Sequence, residues 1–182
     1  MQNRLMLFCG IIITFTCAAL HAKTVTREEA LRLAFPGAEI QSNMIFLTDQ
    51  QMMEASTRAG SPIQSALIAR YTAITNGTAN GRAYLDTHVV RTKKESLLII
   101  LNQDGTVRRV EVIAFEEPSE YQPIEKWYDQ FQQKSLNQDL SLQTGIHPVT
   151  GASLTARATL EAVRRILAID AVLQQQSSEK KK

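Results

Sequence analysis

The chain contains very little cysteine, and both of its thiols stand near the amino terminus. Cys9 and Cys17 are the two cysteines among 182 residues, and each lies within an apolar run from Leu5 to Leu20. Once this run is removed, no thiol is left in the remaining chain. Disulfide bonds, a cysteine nucleophile and a thiolate metal site are then excluded.

An excess of one charge is also missing. The chain has 20 Lys and Arg residues and 18 Asp and Glu residues, for a formal net charge of +2. Proteins that bind nucleic acid present a strongly basic surface to the phosphate backbone. We therefore expect no nucleic acid partner. The basic end of the chain, residues 176–182, is short and polar and predicts a disordered tail.

Residues 1–22 predict a signal peptide. Arg4 precedes the apolar run, and small residues end the segment at Ala22. The run is shorter than the roughly 20 residues that a helix needs to span a bilayer. We therefore expect export to the periplasm or beyond with cleavage near Ala22. An uncleaved membrane anchor is the alternative.

Turn and capping signals predict one α+β domain over residues 23–175. Thr26 stands three residues before Glu29, as in a capping box, and Pro36 ends this first helix. The segment "DQQMMEASTRAG" predicts a second helix. Apolar residues then recur at helical spacing from residue 154 to residue 173, which predicts a long C-terminal helix.

Runs of β-forming residues between the helices predict a mostly antiparallel sheet flanked by helices. Asn76 and Gly77 suit a hairpin turn between the first two of four successive runs. The short segment "IEKWYDQFQQK" after the sheet predicts a helix that places Trp127 in the core. The four runs are "SALIARYTAI", "RAYLDTHVVR", "SLLIILN" and "TVRRVEVIAF", and "AEIQSNMIFLT" carries further β-formers before them.

Small and hydroxyl residues directly precede the long C-terminal helix. The residues are Thr150, Gly151, Ala152, Ser153 and Thr155. The start of a helix exposes unpaired N–H groups that bind anions, and a hydroxyl placed there can contact a phosphate or be esterified by one. Serine and threonine are also the ordinary N-cap residues of helices. Both interpretations follow from the residues alone.

The segment "HPVTGASLTARA" resembles the flavinylation motif of the FMN-binding domain family. That family includes the periplasmic flavin subunits of sodium-pumping quinone reductase and of Rnf-type complexes, and stand-alone exported proteins. Thr150, Gly151 and Ala152 match the motif. Ser153 takes the place of the acceptor threonine, and His147 stands where the family has aspartate. The likeness to stand-alone exported members extends over nearly the whole chain after the leader.

The resemblance implies an electron carrier in which FMN supplies the redox chemistry. FMN would be joined through its phosphate to Ser153 by a flavin transferase, and the protein would pass electrons to a membrane or periplasmic redox partner. The implied cofactor-binding residues are Ser153, Thr150, Gly151, Ala152, Thr155, Leu154, His88 and Glu117. No catalytic residue and no metal ligand is predicted, so a carrier is favoured over a complete enzyme.

Two other functions compete with this prediction. A flavin-free binding or assembly module of the same fold would keep the domain without the cofactor. A hydrolase would use Ser153 as nucleophile with Asp86 and either His88 or His147, since these are the residue types of an activated serine. His88 and Glu117 also have a simpler interpretation as ordinary strand and loop residues.

Overall fold

The computed structural model describes residues 25–137, 139–142 and 144–179, so the predicted signal peptide lies outside the described residues. Within these ranges the chain forms a single α+β domain, as predicted. Its elements are α1 (Arg27–Ala34), β1 (Glu39–Phe46), α2 (Asp49–Ala59), β2 (Leu67–Thr75), β3 (Thr78–Val89), β4 (Lys94–Asn102), β5 (Val107–Phe115), two 3-10 helices (Ser119–Tyr121 and Glu125–Phe131) and α3 (Ser153–Glu179).

Local signals start and stop the two short helices. Thr26 precedes α1, and its side chain accepts a hydrogen bond from the backbone N–H of Glu29 at 3.2 Å. Thr48 and Gln51 form a capping box at the start of α2. Gly60 ends α2 in the left-handed conformation, with a φ of 73° that suits glycine. Both predicted helices are confirmed.

The five strands form one antiparallel meander in the order β1-β2-β3-β4-β5. Each strand pairs with its neighbour in the chain, which confirms the predicted antiparallel sheet. The turn between β2 and β3 contains Asn76 and Gly77, both with positive φ (52° and 75°). These values match the type I′ turn for which Asn-Gly is preferred.

The sheet has a helix-covered face on each side. We call the side that packs against α2, α3 and the second 3-10 helix the α3 face, and its core includes Tyr84, Leu97 and Ile99. We call the opposite side the α1 face, where Tyr71 and Ile100 pack against α1. The larger core therefore lies beneath α3.

The segment predicted as a helix around Trp127 forms a 3-10 helix. Trp127 is buried, as predicted, and its ring meets those of Tyr128 and Phe131 edge-on at centroid distances of 5.1 and 5.4 Å. Its indole N–H donates to the carbonyl of His147 at 2.7 Å. This bond attaches the loop that precedes α3 to the aromatic core.

A buried ionic contact holds α3 to the sheet. Asp170 of α3 accepts hydrogen bonds from the guanidinium of Arg82 at 2.6 and 2.9 Å, and from the hydroxyl of Tyr84 at 2.7 Å. Burial and the nearby Asp170 carboxylate raise the pKa of Tyr84 above its ordinary range, so this phenol stays a donor. The contact joins the C-terminal half of α3 to β3.

The C-terminal boundary differs from the prediction. Residues 176–179, predicted as part of a disordered tail, continue α3 as helix. The reason is contact with α2, since the side chain of Gln51 donates to Gln176 at 2.6 Å and Arg58 donates to Gln175 at 2.8 Å. Residues 180–182 lie outside the described residues.

The length of α3 alone does not make it a membrane span. Its 27 residues include the charged, buried Asp170 and the exposed charged residues Arg157 and Glu161. Within the part of the chain that the structure describes, no helix is both long and apolar enough to cross a membrane.

We predict that Asp170→Asn lowers the free energy of unfolding by about 3–5 kcal/mol, because it leaves the buried Arg82 guanidinium without its counter-charge. The control is Glu54→Gln, which breaks a surface pair with Arg58 and should cost about 0.3–0.5 kcal/mol. Urea denaturation at pH 7 measures both values. Equal, small losses would contradict the role of Asp170 in holding α3.

Candidate functional site

The start of α3 is not capped by a side chain. Ser153 is the first helical residue, so Ala152 occupies the N-cap position, and its carbonyl accepts from the N–H of Ala156 at 2.9 Å. A methyl group cannot accept a hydrogen bond. The interpretation of Thr150 or Ser153 as an ordinary N-cap is therefore wrong for this helix.

The first turn of α3 presents unpaired backbone donors. Among the described residues, the N–H groups of Ser153, Leu154 and Thr155 have no hydrogen-bond partner. Such groups carry the positive end of the helix dipole. Gly151 lies just before them with a φ of 85° and open space where a side chain would stand. The approach to this positive end is therefore unobstructed.

Ser153 and Thr155 have different surroundings although they are two residues apart. The Ser153 side chain is exposed, and its hydroxyl donates a long hydrogen bond of 3.3 Å to the carbonyl of Val149. Thr155 is buried, and its hydroxyl donates to the carbonyl of Tyr121 at 2.6 Å. Thr155 thus joins α3 to the first 3-10 helix, and Ser153 is the open hydroxyl of this turn.

A groove of about 620 Å³ adjoins this turn. Its volume lies within the range of about 300–1,000 Å³ that is usual for small-molecule sites. Apolar and aromatic groups form part of its lining, together with the polar side chains of Glu120, Gln122, Lys126 and Gln130. The other lining residues are Ile124, Trp127, His147, Val149, Thr150 and Ala152.

His88 lies elsewhere, in a buried network on the α3 face. Its Nδ1 lies 2.8 Å from Asp86 and its Nε2 lies 3.1 Å from Glu95. Arg165 of α3 donates to Asp86 at 2.9 Å. Burial disfavours the charged imidazole, but hydrogen bonds to Asp86 and Glu95 outweigh it and raise the pKa of His88 to about 9. His88 is therefore protonated at pH 7.

The carboxyl groups of this network, Asp86 and Glu95, both accept hydrogen bonds. Burial alone would raise the pKa of Asp86, but hydrogen bonds from His88 and Arg165 hold it below its ordinary value. Glu95 is fully buried, and its Oε2 also accepts from Thr159 of α3 at 3.4 Å. Its Oε1 has no partner among the described residues. The network joins α3 to β3 and β4 and does not line the groove.

Glu95 is not among the residues that the sequence patterns predict to be functional. The sequence does contain a sign that Glu95 is buried. Alternate residues of a strand share one face, and Glu95 lies two and four positions before the apolar residues Leu97 and Ile99. A carboxylate on that buried face requires a cation, which His88 supplies directly across the strand pair.

Glu117 stabilises the turn between β3 and β4. Its Oε1 accepts hydrogen bonds from the backbone N–H groups of Arg91, Thr92 and Lys93 at 3.1, 2.7 and 2.9 Å. The bonds from Thr92 and Lys93 contribute most to a lowered pKa of Glu117. Glu117 is 8 % exposed, and its Oε1 is occupied by these three N–H groups. It lines a separate groove with Tyr121 and does not reach the start of α3.

The structure therefore separates the predicted cofactor residues into two groups. Thr150, Gly151, Ala152, Ser153 and Leu154 lie together at the start of α3, with the Thr155 hydroxyl turned to Tyr121. His88 and Glu117 are both engaged in structural hydrogen bonds away from that turn.

The hydrolase arrangement is not assembled. The Ser153 hydroxyl contacts the Val149 carbonyl, while both ring nitrogens of His88 contact carboxylates. Within the described ranges no imidazole contacts Ser153, so the serine lacks the base that would activate it. The same ranges contain no group of three or more His, Cys, Asp or Glu side chains that could hold a metal ion.

Comparison with known proteins gives no match to a family model, to a curated protein or to a solved structure. The likeness to the FMN-binding family thus depends on the sequence segments themselves.

We predict that His88→Gln destabilises the protein most at acidic to neutral pH. The folded-state pKa of about 9 exceeds the ordinary value of 6.5, so the stabilisation is complete below about pH 6.5 and is lost as pH rises through about 9. Denaturation of wild type and variant at pH 6 and pH 9.5 measures the difference. Exposed His147→Gln is the control and should change stability little at either pH. If His88→Gln lowered the free energy of unfolding by the same amount at both pH values, the assignment of a charged imidazole would be contradicted.

Glu117→Gln should show the opposite dependence. Because the pKa of Glu117 is lowered from its ordinary value of 4.5, its stabilisation is present above that value and is lost as pH falls through the folded-state pKa. We expect thermal melts to separate wild type from variant at pH 7 and to converge in acid. Glu120→Gln, on the exposed neighbouring helix, is the control. A difference in melting temperature that grows in acid would contradict the charged state assigned to Glu117.

Proposed function

We propose that this protein is an exported FMN-binding electron carrier, with FMN joined through a phosphoester to Ser153. The observation that carries the proposal is the exposed Ser153 hydroxyl beside unpaired N–H groups at the start of a 27-residue helix. The flavin transferase, the membrane or periplasmic redox partner and the exported location belong to the same proposal. They follow from the resemblance of the segment from His147 to Ala158.

The first turn of α3 suits a phosphate. Its three unpaired N–H groups form the positive end of the helix dipole. An anion bound there is stabilised by about 0.3–1 kcal/mol at an exposed site and by more at a partly buried one. Gly151 leaves open space over the backbone. The absence of a side-chain cap at Ala152 also fits, because the phosphate oxygens would accept the bonds that a cap normally accepts.

The neighbouring groove suits an aromatic ring system. Ile124 and Val149 supply apolar contacts, and Trp127 supplies part of an aromatic lining that its hydrogen bond to His147 holds in place. Thr150 and Ala152 line both the groove and the approach to Ser153. A ligand with a phosphate at one end and a flat ring at the other would therefore engage a continuous surface.

The protein's own residues bind and orient the cofactor in this proposal. FMN, when bound, supplies the one- and two-electron chemistry. In the attachment, the Ser153 oxygen would bond to the flavin-side phosphorus of a flavin dinucleotide held by the transferase, the pyrophosphate bond would break, and the nucleoside monophosphate would leave with the serine proton. The N–H groups of Leu154 and Thr155 accommodate the remaining phosphate charge. Thr155 supports the site indirectly, since its buried bond to Tyr121 holds the first turn of α3 in position.

Intact mass spectrometry tests the attachment. The chain is expressed for export together with a flavin transferase, and we expect a gain of about 438 Da, the mass of FMN less water. Ser153→Ala should abolish the gain, and Ser153→Thr should retain it because threonine keeps the hydroxyl. Ser177→Ala is the matched control, since it removes an exposed serine hydroxyl of α3 that likewise donates to the carbonyl four residues earlier but lies far from the groove. Thr155→Val should also retain the gain.

Other outcomes would change the conclusion in defined ways. A gain that survives Ser153→Ala but disappears in Thr155→Val would move the attachment site and keep the function. A colourless protein that gains no mass and does not bind added FMN would overturn the proposal. The flavin-free binding or assembly module would then be the better explanation.

A further inference from the structure

The α1 face of the sheet is only partly covered by its helix. Phe35, at the end of α1, packs over Gly81 near the start of β3, where a side chain in place of glycine would meet the Phe35 ring at 2.3 Å. At the other end of α1, Arg27 donates to the hydroxyl of Tyr71 at 3.1 Å. The strands continue beyond Tyr71, and no described element lies over that part of the face.

This uncovered area is apolar. We call it the open face and define it by Met44, Phe46, Leu67 and Val89. Strand alternation places all four on the α1 side, and the sheet register pairs Phe46 with Leu67 and Met44 with Ala69. Their exposed fractions are 61, 74, 53 and 57 %. Met44, Phe46 and Leu67 are neighbours on β1 and β2, and Val89 lies beyond Thr87 on β3. Neighbouring exposed apolar residues mark an interaction surface, whereas single ones do not.

The polar groups within the open face are already satisfied. Thr87 and Ser96 face each other across β3 and β4, and their hydroxyls hydrogen-bond at 2.9 Å. The area therefore presents few unpaired donors or acceptors that would favour water.

Basic residues border the open face at one edge. Lys94 pairs with Val89 in the sheet register, and Lys93 lies in the adjacent turn. Neither lysine has an ionic partner among the described residues. Of the nearby acids, Glu95 points to the opposite face and Glu117 is engaged by the turn backbone. Glu116 is exposed and accepts from the backbone N–H of Lys94 at 3.4 Å, so it offsets one lysine charge, while exposed Arg91 in the same turn adds a further positive charge. The edge therefore keeps an excess of positive charge toward an anionic surface.

The described chain also enters the domain at this area. Val25 packs against the core of the α1 face, and α1 begins over Tyr71, on the side of the open face. The apolar run that ends at Leu20 is only a few residues earlier in the sequence. The described chain therefore begins on the α1 side of the sheet, the side that carries the open face.

We propose that the open face docks on the surface of an anionic lipid bilayer. Phe46, Leu67 and Met44 would enter the interfacial region, while Lys93 and Lys94 contact the phosphate groups of the lipids. A second copy that paired through the edge strand β1 would extend the sheet and leave the apolar side chains exposed.

Site-specific fluorescence tests the docking. The chain is purified as cells export it, with Cys9 and Cys17 replaced by serine, and an environment-sensitive dye is attached to Phe46→Cys. The matched control is Met53→Cys, since Met53 lies on α2 beyond the opposite face and is 68 % exposed, close to the 74 % of Phe46. Vesicles contain equal amounts of phosphatidylglycerol and phosphatidylcholine. We expect a blue shift of the dye at position 46 and none at position 53.

Charge variants test the basic edge. Lys93→Gln and Lys94→Gln should each weaken vesicle binding about fivefold, the factor that corresponds to about 1 kcal/mol per basic residue near an anionic surface. Lys126→Gln, beside the groove near α3, should leave binding unchanged. Pure phosphatidylcholine vesicles should bind much more weakly.

Three results would overturn the proposal. Equal shifts at positions 46 and 53 would show attachment without a preferred face. No shift at either position would exclude the bilayer as the occupant. A shift at position 46 that needs no vesicles and grows with protein concentration would identify a second copy instead. The test does not involve Ser153, so its outcome is independent of FMN attachment.

Discussion

The buried contact of Asp170 with Arg82 and Tyr84 is the interaction on which the arrangement of this protein depends. It fixes α3 along the sheet, because a buried carboxylate must stay beside its guanidinium. Arg165 and Thr159 add contacts nearer the start of the same helix. A rigid helix held at successive points transmits its position to its first turn. The place of Ser153 therefore follows from contacts far along α3.

Charged groups in this fold serve mainly to hold its segments together. His88 carries a positive charge between two carboxylates, and Glu117 carries a negative charge among backbone N–H groups. Each charge is neutralised where it is buried, as the cost of desolvation requires. Neither side chain is left to bind a ligand. The start of α3 differs because its partial charge arises from the backbone and remains unpaired.

The proposed functions use opposite parts of the molecule. The proposed phosphate site and groove lie at the start of α3, whereas the open face lies on the far side of the sheet. Docking through the open face would leave the groove accessible to a redox partner. This separation follows from the sheet itself, which presents alternate residues to its two sides. One five-stranded meander can thus carry two unrelated surfaces.

Sequence alone determined the features that depend on near neighbours. Thr48 and Gly60 bound α2, Asn76 and Gly77 turn the chain between β2 and β3, and apolar spacing predicts α3. These signals act within a few residues, so they can be recognised without the fold. The hydroxyl residues that directly precede and begin α3 are likewise a local feature that the sequence alone reveals.

Only the tertiary structure decided which of the candidate site residues are engaged in hydrogen bonds and which remain exposed. Thr155 is engaged because Tyr121 lies beside it, and His88 is engaged because β4 places Glu95 opposite. The helix continues through Gln176 because α2 lies against it. Such contacts join residues far apart in the chain, and no local pattern encodes them. Ser153 remains exposed for the same reason, since the fold brings no described partner to it beyond Val149.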